Sequence, residues 1–253
     1  MNPFDAVILG MVEGLTEFLP ISSTAHLILG AKVLGLLQTD FLKSFEIIIQ
    51  FGAILAVATL YFKSFFDRQI LKNIIVGFIP TGILGLFFYG VVKQYLGNIS
   101  VILWALFIGG VVLIIFEKWQ KGRDSALRDT MTASDCIKIG LFQALSFIPG
   151  VSRSGATILG GLALGVSRKT ITEYSFLLAV PTMLAATGLD AIKNKDLLFE
   201  AGNFSNLLVG FVVSYLVAIL AIKVFLAYVK KHDFFAFGVY RIAIATISFF
   251  FLI

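Results

Sequence analysis

Residues 10–30 read GMVEGLTEFLPISSTAHLILG, and residues 140–160 read GLFQALSFIPGVSRSGATILG. Both stretches are apolar at their ends and are interrupted near the middle by a proline and a group of small polar residues. Proline lacks a backbone N–H and disfavours helix at the residue before it, so each stretch predicts two short helices joined by a turn. Broken helices are tolerated at membrane depth only where protein or a wet cavity surrounds them.

Other segments repeat in the same order, at an offset of about 130 residues. The matched segments are FEIIIQFGAILA (45–56) with YSFLLAVPTMLA (174–185), and VGF (76–78) with VGF (209–211). Apolar helices resemble one another by composition alone, but a shared break followed by the same order of elements favours duplication. We therefore predict a single membrane domain over 1–253, with a first repeat at 1–117 and a second, inverted repeat at 132–253.

The composition is that of a membrane protein. Of 253 residues, 58% are hydrophobic and 14% are charged, whereas soluble domains carry about 25% charged residues. Besides the two broken regions, 3–37 and 137–166, six segments are long enough to span a bilayer, which takes about 20 apolar residues. They are 44–62, 70–92, 99–117, 170–192, 204–229 and 236–253. Cys136 is the one cysteine, so the chain has no internal disulfide.

Loop charges predict the topology. Twelve Lys and Arg residues lie in the loops 63–72, 118–138, 166–173 and 230–235, and five lie in 31–43, 93–98 and 193–203. By the positive-inside rule the first set is cytoplasmic. If both broken regions enter and return, six helices span and both termini lie outside. The expected fold is thus an all-α polytopic membrane protein, an inverted-topology repeat with two re-entrant helical hairpins. The net charge of +5 belongs to these loops, so we expect no nucleic-acid partner.

In such folds the binding site forms near the midplane, where the broken helices meet. The second helix of each hairpin begins at its break, and unpaired N–H groups at a helix N-terminus suit phosphate. The candidate phosphate-binding residues are Ser22, Thr24, Ser152, Arg153, Ser154 and Thr157. An arginine fork binds phosphate oxygens bidentately, so Arg153 favours this interpretation. The alternative is that the serines only cap their helices.

Glu13 and Glu17 lie four residues apart and therefore project from one face of the incoming helix. Two carboxylates this close on an apolar helix require a cation, a shared proton or an arginine partner. A divalent cation that bridges them to phosphate oxygens meets this need, and oxygen ligands suit Mg²⁺ or Ca²⁺. The alternative is a structural ion pair with Arg153.

His26 follows Ser23 by three residues, on the same helix face, and is a candidate catalytic residue. It could act as a base for Ser23, as an acid for the leaving oxygen, or as a nucleophile. Glu46 and Gln50 form another polar pair at helical spacing. We expect them to contact and orient the catalytic residues, and the alternative is that they only pack within the bundle. We expect Lys223 and Arg241 to snorkel or to pair within the bundle. His232 is expected to be solvated, and Cys136 inert.

The segments EGLTEFLPISSTAH (13–26) and PGVSRSGAT (149–157) resemble the undecaprenyl-diphosphate phosphatase family of the bacitracin-resistance type. The order of elements agrees along nearly the whole chain. The resemblance implies a bacterial integral membrane enzyme that hydrolyses undecaprenyl diphosphate to the monophosphate and so recycles the lipid carrier of cell-wall polymers. It also implies a divalent-cation requirement and a site reached from the outer face of the cytoplasmic membrane.

Carried onto this chain, the resemblance places functional positions at Glu13, Glu17, Ser23, His26, Arg153, Ser152 and Thr157. One departure is Ala25, where the family usually has glycine, and we expect its methyl group to narrow the pocket slightly. We favour Ser23 as the nucleophile, with His26 or Glu17 as its base, while attack by water or by His26 stays open.

A transporter or flippase for a phosphorylated lipid is the alternative function, because inverted repeats and broken helices are typical of transporters. The carboxylate pair and the Ser-His turn favour the enzyme, since a carrier for anions gains nothing from two extra carboxylates. A lipid phosphatase of the vanadate-sensitive type would need a second histidine motif, and His232 has no such context. The sequence leaves a homodimer open.

Overall fold

A computed structural model describes residues 1–95, 97–122, 127–193 and 203–252. In this part of the chain ten α-helices follow one another, without a β-strand element. They are α1 (Pro3–Thr16), α2 (Ser23–Val33), α3 (Asp40–Leu60), α4 (Arg68–Tyr95), α5 (Ile99–Gln120), α6 (Ala133–Ala144), α7 (Arg153–Ala163), α8 (Arg168–Lys193), α9 (Asn203–Val229) and α10 (Phe235–Leu252). Arg123 and Lys195, both part of the charge count, lie outside the described residues.

The two broken regions form the predicted helical hairpins. Helix α1 has 14 residues and α2 has 11, while α6 has 12 and α7 has 11. At 1.5 Å per residue none is longer than about 21 Å, which is short of the roughly 30 Å hydrocarbon core. Within each pair the two helices pack on each other, so the chain returns at the turns supplied by the breaks at Pro20 and Pro149.

Four of the remaining helices are long and apolar enough to cross a membrane: α3, α5, α9 and the first 21 residues of α4. Helices α8 and α10, of 26 and 18 residues, cover the other two segments that the sequence predicts to span. Helix α8 is less apolar because Thr172, Ser175 and Thr182 lie along it, and Ser175 is buried against the second hairpin. The all-α membrane fold is thus confirmed.

Each hairpin packs on the other half of the chain. Helix α1 lies against α9, and a Cβ added at Gly10 would lie 2.6 Å from the carbonyl oxygen of Gly210. Helix α6 lies against α4 in the same way, with Gly140 on the backbone of Gly77. Gly10 and Gly140 are equivalent in the alignment, as are Gly77 and Gly210, so the two contacts correspond. Small residues let membrane helices approach this closely.

These glycine contacts give a stability prediction. We expect Gly10→Ala to destabilise the protein by about 1–3 kcal/mol, because its methyl group would meet backbone that has no room to move. Gly188→Ala in α8 is the matched control, since nothing lies within 4 Å of its added Cβ. Thermal unfolding in detergent should show a lower midpoint for the first variant only. Equal midpoints for the two variants would contradict the close contact of α1 and α9.

The basic loops meet at one end of the bundle. Arg168 donates to both carboxylate oxygens of Glu117, at 2.5 and 2.7 Å, and the backbone N–H of Phe234 donates to the same carboxylate. Arg128 forms a second bidentate pair with Asp135, at 2.8 Å for both bonds. Loops that the charge count assigned to one side of the membrane therefore lie together.

The apolar core reaches from this end to the tip of the first hairpin. Phe18, at the tip, packs edge-on against Phe176 of α8 with ring centroids 5.1 Å apart, and Phe176 packs on Phe225 of α9. All three rings are buried. These aromatic contacts fix the tip of the first hairpin against α8 of the second half. The polar residues next to Phe18 are thereby held in place.

Candidate active site

The tip of the first hairpin has an unusual backbone. Ser22 adopts φ 70° and ψ 93°, the one positive φ among the described non-glycine residues. Such a conformation costs about 1–3 kcal/mol and is kept where the surroundings enforce it, commonly at functional sites. Ser22 is also the N-cap of α2, since its Oγ accepts the N–H of Ala25 at 3.4 Å. The strained turn thereby directs the start of α2, and with it Ser23, into the protein interior.

Glu17, Ser23 and Arg153 meet between the two hairpins. The hydroxyl of Ser23 donates to one carboxylate oxygen of Glu17 at 2.5 Å, and the guanidinium of Arg153 donates to the other at 2.9 Å. The side chains of Arg153 and Glu17 are 8% and 5% exposed. The structure therefore brings together three of the four predicted catalytic residues, and Glu17 is the acceptor in contact with the Ser23 hydroxyl.

Arg153 is held from its other side by Ser175 of α8. Its Nη1 donates to the carbonyl of Ser175 at 2.9 Å, and the hydroxyls of Ser175 and Thr157 are 2.6 Å apart. Thr157 also donates to the Arg153 carbonyl at 2.9 Å, so its hydroxyl braces the start of α7. Sequence reasoning missed Ser175, although the repeat alignment pairs it with Glu46 and could have drawn attention to it.

Ser152 and Ser154 connect the two hairpin tips. Both hydroxyls donate to the carbonyl of Leu19 in the first tip, at 3.3 and 2.7 Å. Ser152 additionally caps α7 by accepting the N–H of Gly155 at 3.0 Å. In this structure the two residues predicted to bind phosphate hold the tips together, and Thr24 lies half-buried in the first turn of α2.

Glu13 is a buried carboxylate one turn before Glu17. It is fully buried, and neither of its oxygens accepts a hydrogen bond from a described residue. The charges that act on it are those of Glu17, Arg153 and Glu46. Glu46 of α3 is 9% exposed, with one oxygen also unbonded, and Gln50 is half-buried one turn further on. Three acidic side chains therefore lie near one arginine, so bound protons or a cation must balance the charge that Arg153 does not.

The residues fit a hard divalent cation bound by few protein ligands. In the described part of the chain, no group of three or more His, Cys, Asp and Glu side chains is arranged to hold a metal ion. Mg²⁺ often uses one or two carboxylates and completes its shell with water and substrate phosphate. The unbonded oxygens of Glu13 are available for that purpose, whereas both oxygens of Glu17 already accept hydrogen bonds.

His26 points towards α10 and not towards Ser23. Its Nδ1 lies 2.8 Å from the Ser22 carbonyl, which can only accept, so Nδ1 carries the proton. Its Nε2 then accepts the hydroxyl of Tyr240 at 2.9 Å, and the two rings stack with centroids 5.5 Å apart. Of the two bases considered for Ser23, the geometry favours Glu17. Tyr240 is a second contact that the sequence did not reveal.

Arg241, next to Tyr240, is buried in the centre of the protein and is 2% exposed. Its guanidinium donates to four carbonyl oxygens, those of Pro20, Gly150, Ala105 and Leu106, at 3.1–3.2 Å. Of the two alternatives expected for Arg241, the structure shows pairing within the bundle and not snorkelling, because its charge lies at both hairpin tips and away from the ends of α10. An arginine within an apolar helix was itself the signal for a function.

Ala25 does not narrow the site. Its side chain is fully buried in an apolar cluster with Ile102, Leu106 and Ala245 of α5 and α10. The methyl group therefore packs on the face of α2 that is directed at these helices. The departure from the family pattern at this position is accommodated by packing, which corrects the expectation of a smaller pocket.

Comparison with known proteins gives matches along nearly the whole chain. Residues 6–247 match the family described as Bacitracin resistance protein BacA. A relative in Sulfurihydrogenibium sp. (strain YO3AOP1), named undecaprenyl-diphosphatase, is 49% identical over 244 residues, which is 96% of either chain. Relatives of the same name in Aquifex aeolicus and Bdellovibrio bacteriovorus are 47% and 46% identical over 98% of this chain and 97% and 95% of theirs. The chain belongs to the BacA family of bacitracin resistance proteins.

Proposed function

We propose that this protein is a membrane phosphatase that hydrolyses undecaprenyl diphosphate to undecaprenyl phosphate and inorganic phosphate. The observation that carries the proposal is Glu17, whose two oxygens accept the hydroxyl of Ser23 and the guanidinium of Arg153 in a buried setting. A nucleophile, its base and a phosphate-binding cation thus form one hydrogen-bonded unit. The names of the relatives support the same reaction.

The phosphates would lie between the hairpin tips. Helices α2 and α7 both begin there, and their N-termini favour negative charge. The Nε of Arg153 is buried without a hydrogen-bond partner among the described residues, so this side chain keeps a donor for phosphate oxygen. Groups that are already in place stabilise the charge that develops on the transferred phosphoryl group without reorganising.

We assign the attack to Ser23. Its Oγ forms a bond to the terminal phosphorus, its proton passes to Glu17, and the bridging P–O bond breaks to release undecaprenyl phosphate. Glu17 passes this proton to the leaving phosphate. Water then attacks the phosphoserine, its proton passes through Glu17 to the Ser23 oxygen, and the Ser23–phosphorus bond breaks to release inorganic phosphate. The 2.5 Å contact with Glu17 supports this order of events, because a general base must lie within hydrogen-bond reach of the proton it removes.

A divalent cation, Mg²⁺ or Ca²⁺, would be held first by the unbonded oxygens of Glu13, and Glu17 would join it by giving up one of its two hydrogen bonds. When bound, it supplies positive charge that polarises the phosphate and offsets the buried carboxylates. Hydrogen bonds to the Ser22 carbonyl and the Tyr240 hydroxyl hold His26 in the first turn of α2. From there it would contact the substrate or its leaving group. Glu46 and Gln50 lie behind Glu13 and would orient it.

We further propose a location in a bacterial cytoplasmic membrane, with the site facing outward. The basic loops lie together at one end of the bundle, around Glu117 and Arg168. The N-terminus lies at the other end, where the Asn206 side chain of α9 donates to the Met1 carbonyl. The positive-inside rule makes that basic end cytoplasmic. From this position the enzyme would recycle the lipid carrier of cell-wall polymers and confer bacitracin resistance.

The first experiment measures phosphate release from undecaprenyl diphosphate by purified protein in detergent. We expect release with Mg²⁺ or Ca²⁺ and none with excess chelator. Glu13→Gln should raise the cation concentration needed for half-maximal activity by about tenfold, as expected when a metal ligand or its support is lost. Lys223→Gln, a charge change on the exposed face of α9, is the control and should behave like the unmodified protein.

Two results would overturn the proposal. Full phosphate release in excess chelator would show that the reaction needs no divalent cation. No release by folded protein that still binds undecaprenyl phosphate would favour the carrier function, for which the inverted hairpins are equally suited.

A further inference from the structure

An apolar groove opens beside the second hairpin. It has a volume of about 550 Å³, within the range of ligand-binding pockets. Helices α4, α5 and α6 form its walls, with Leu84 and Phe88 on one side and Leu141 and Ala144 on the other. Leu141 is 49% exposed and Phe88 is 41% exposed, so the groove opens towards the surrounding lipid.

The groove breaks the internal symmetry of the protein. Ala144 is equivalent to Gly14 in the aligned hairpins, but the two lie in different surroundings. A Cβ added at Gly14 would lie 2.6 Å from the carbonyl of Ser214 and 2.8 Å from the side chain of Val217, so α1 and α9 touch. At Ala144 the corresponding helices α6 and α4 have separated and leave the groove.

The inner end of the groove is formed by the turn that leads into the second hairpin tip. Ile148 and Pro149 line it, and the chain continues directly into Gly150, whose carbonyl accepts Arg241. Ser152 and Arg153 follow within the same turn. A molecule lying in the groove with a charged end towards Pro149 would therefore present that end to the N-terminus of α7.

From this continuity we infer that the groove binds the first isoprene units of the substrate's polyprenyl chain, an inference that rests on the proposed function. The lining is almost wholly hydrocarbon, with Phe88, Tyr95 and Phe147 among its residues. Flat aromatic surfaces pack well against the methyl branches and planar double bonds of a prenyl chain. The tail thus enters from the lipid between α4 and α6, and the diphosphate meets both hairpin tips.

The test fills the groove and compares tail lengths. Ala144→Trp should raise KM for undecaprenyl diphosphate about tenfold, an affinity loss of about 1.4 kcal/mol, with kcat within about twofold. KM for dimethylallyl diphosphate, whose single isoprene unit would reach only the inner end of the groove at Pro149 and not Ala144, should not change. Ala227→Trp is the matched control, because Ala227 is an exposed alanine of α9. An equal rise in KM for both substrates, or no rise for either, would overturn the inference.

A second measurement does not depend on hydrolysis or on a folded variant. A diazirine-bearing farnesyl phosphate should crosslink to residues 141–149 of the unmodified protein. Undecaprenyl phosphate should compete for this labelling, and hexadecyl phosphate should not. Equal competition by the straight chain would mean that the groove is an ordinary lipid contact. If the groove is labelled but the protein hydrolyses no diphosphate, the proposed function is refuted, whereas binding of a prenyl chain in the groove is still supported.

Discussion

Glu17→Gln should lower kcat for phosphate release by about 10³-fold, within the range that general-base catalysis contributes. The amide keeps the size of the side chain, and its oxygen can still accept the Arg153 guanidinium. Its NH₂ group would then face the Ser23 oxygen as a donor, so the hydroxyl proton has no base to accept it. We expect saturating Mg²⁺ not to restore the rate, because the defect lies in proton removal.

The unit formed by Glu17 and Ser23 can be tested as a pair. If Glu17 activates Ser23, Ser23→Ala and the double variant should be about as slow as Glu17→Gln alone, since residues that act together are not additive. Unfolding in detergent is the control, because Arg153 loses a buried counter-charge and loss of such a partner can cost 3–5 kcal/mol. Multiplying effects in a folded double variant would instead indicate attack by water.

Sequence reasoning reached the hairpins and their polar tips because both depend on local features. Proline breaks, helix capping and the spacing of Glu13 and Glu17 are properties of short segments, and the repeat supplied the opposing tip with Arg153. The ion pair of Arg153 with Glu17 was the alternative to a bridging cation, and it is the contact that the described residues form. Local pattern and overall topology agree here, as expected of a foldable sequence.

The contacts that sequence reasoning missed come from helices packed against the hairpins. Ser175 and Tyr240 are single polar residues in long apolar helices, and their partners are set by helix rotation and crossing, which periodicity does not give. His26 shows the same limit. Its place on the helix face of Ser23 suggested a base, but a 2.8 Å bond to the Ser22 carbonyl turns its ring towards α10.

Arg241 offers the clearest case of a positioning residue. Its four acceptors come from both hairpin tips and from α5, and a guanidinium can meet them all because it carries five N–H groups in a fixed plane. No carboxylate is among these partners, so the arginine acts through the carbonyl groups. It fixes Pro20 of the first tip relative to Gly150 of the second, and therefore Glu17 relative to Arg153.

We expect Arg241→Ala to lower kcat by about 10²-fold, the effect that a displacement of about 1 Å can have, with little change in KM. Arg241→Lys should recover only part of the rate, since an ammonium group cannot reach four carbonyls in one plane. Added guanidinium ion should stimulate the alanine variant and leave the unmodified enzyme unchanged. A variant that keeps its unfolding midpoint and its full kcat would refute this role, as would a loss confined to KM, because either result would mean that the two tips hold their register without Arg241.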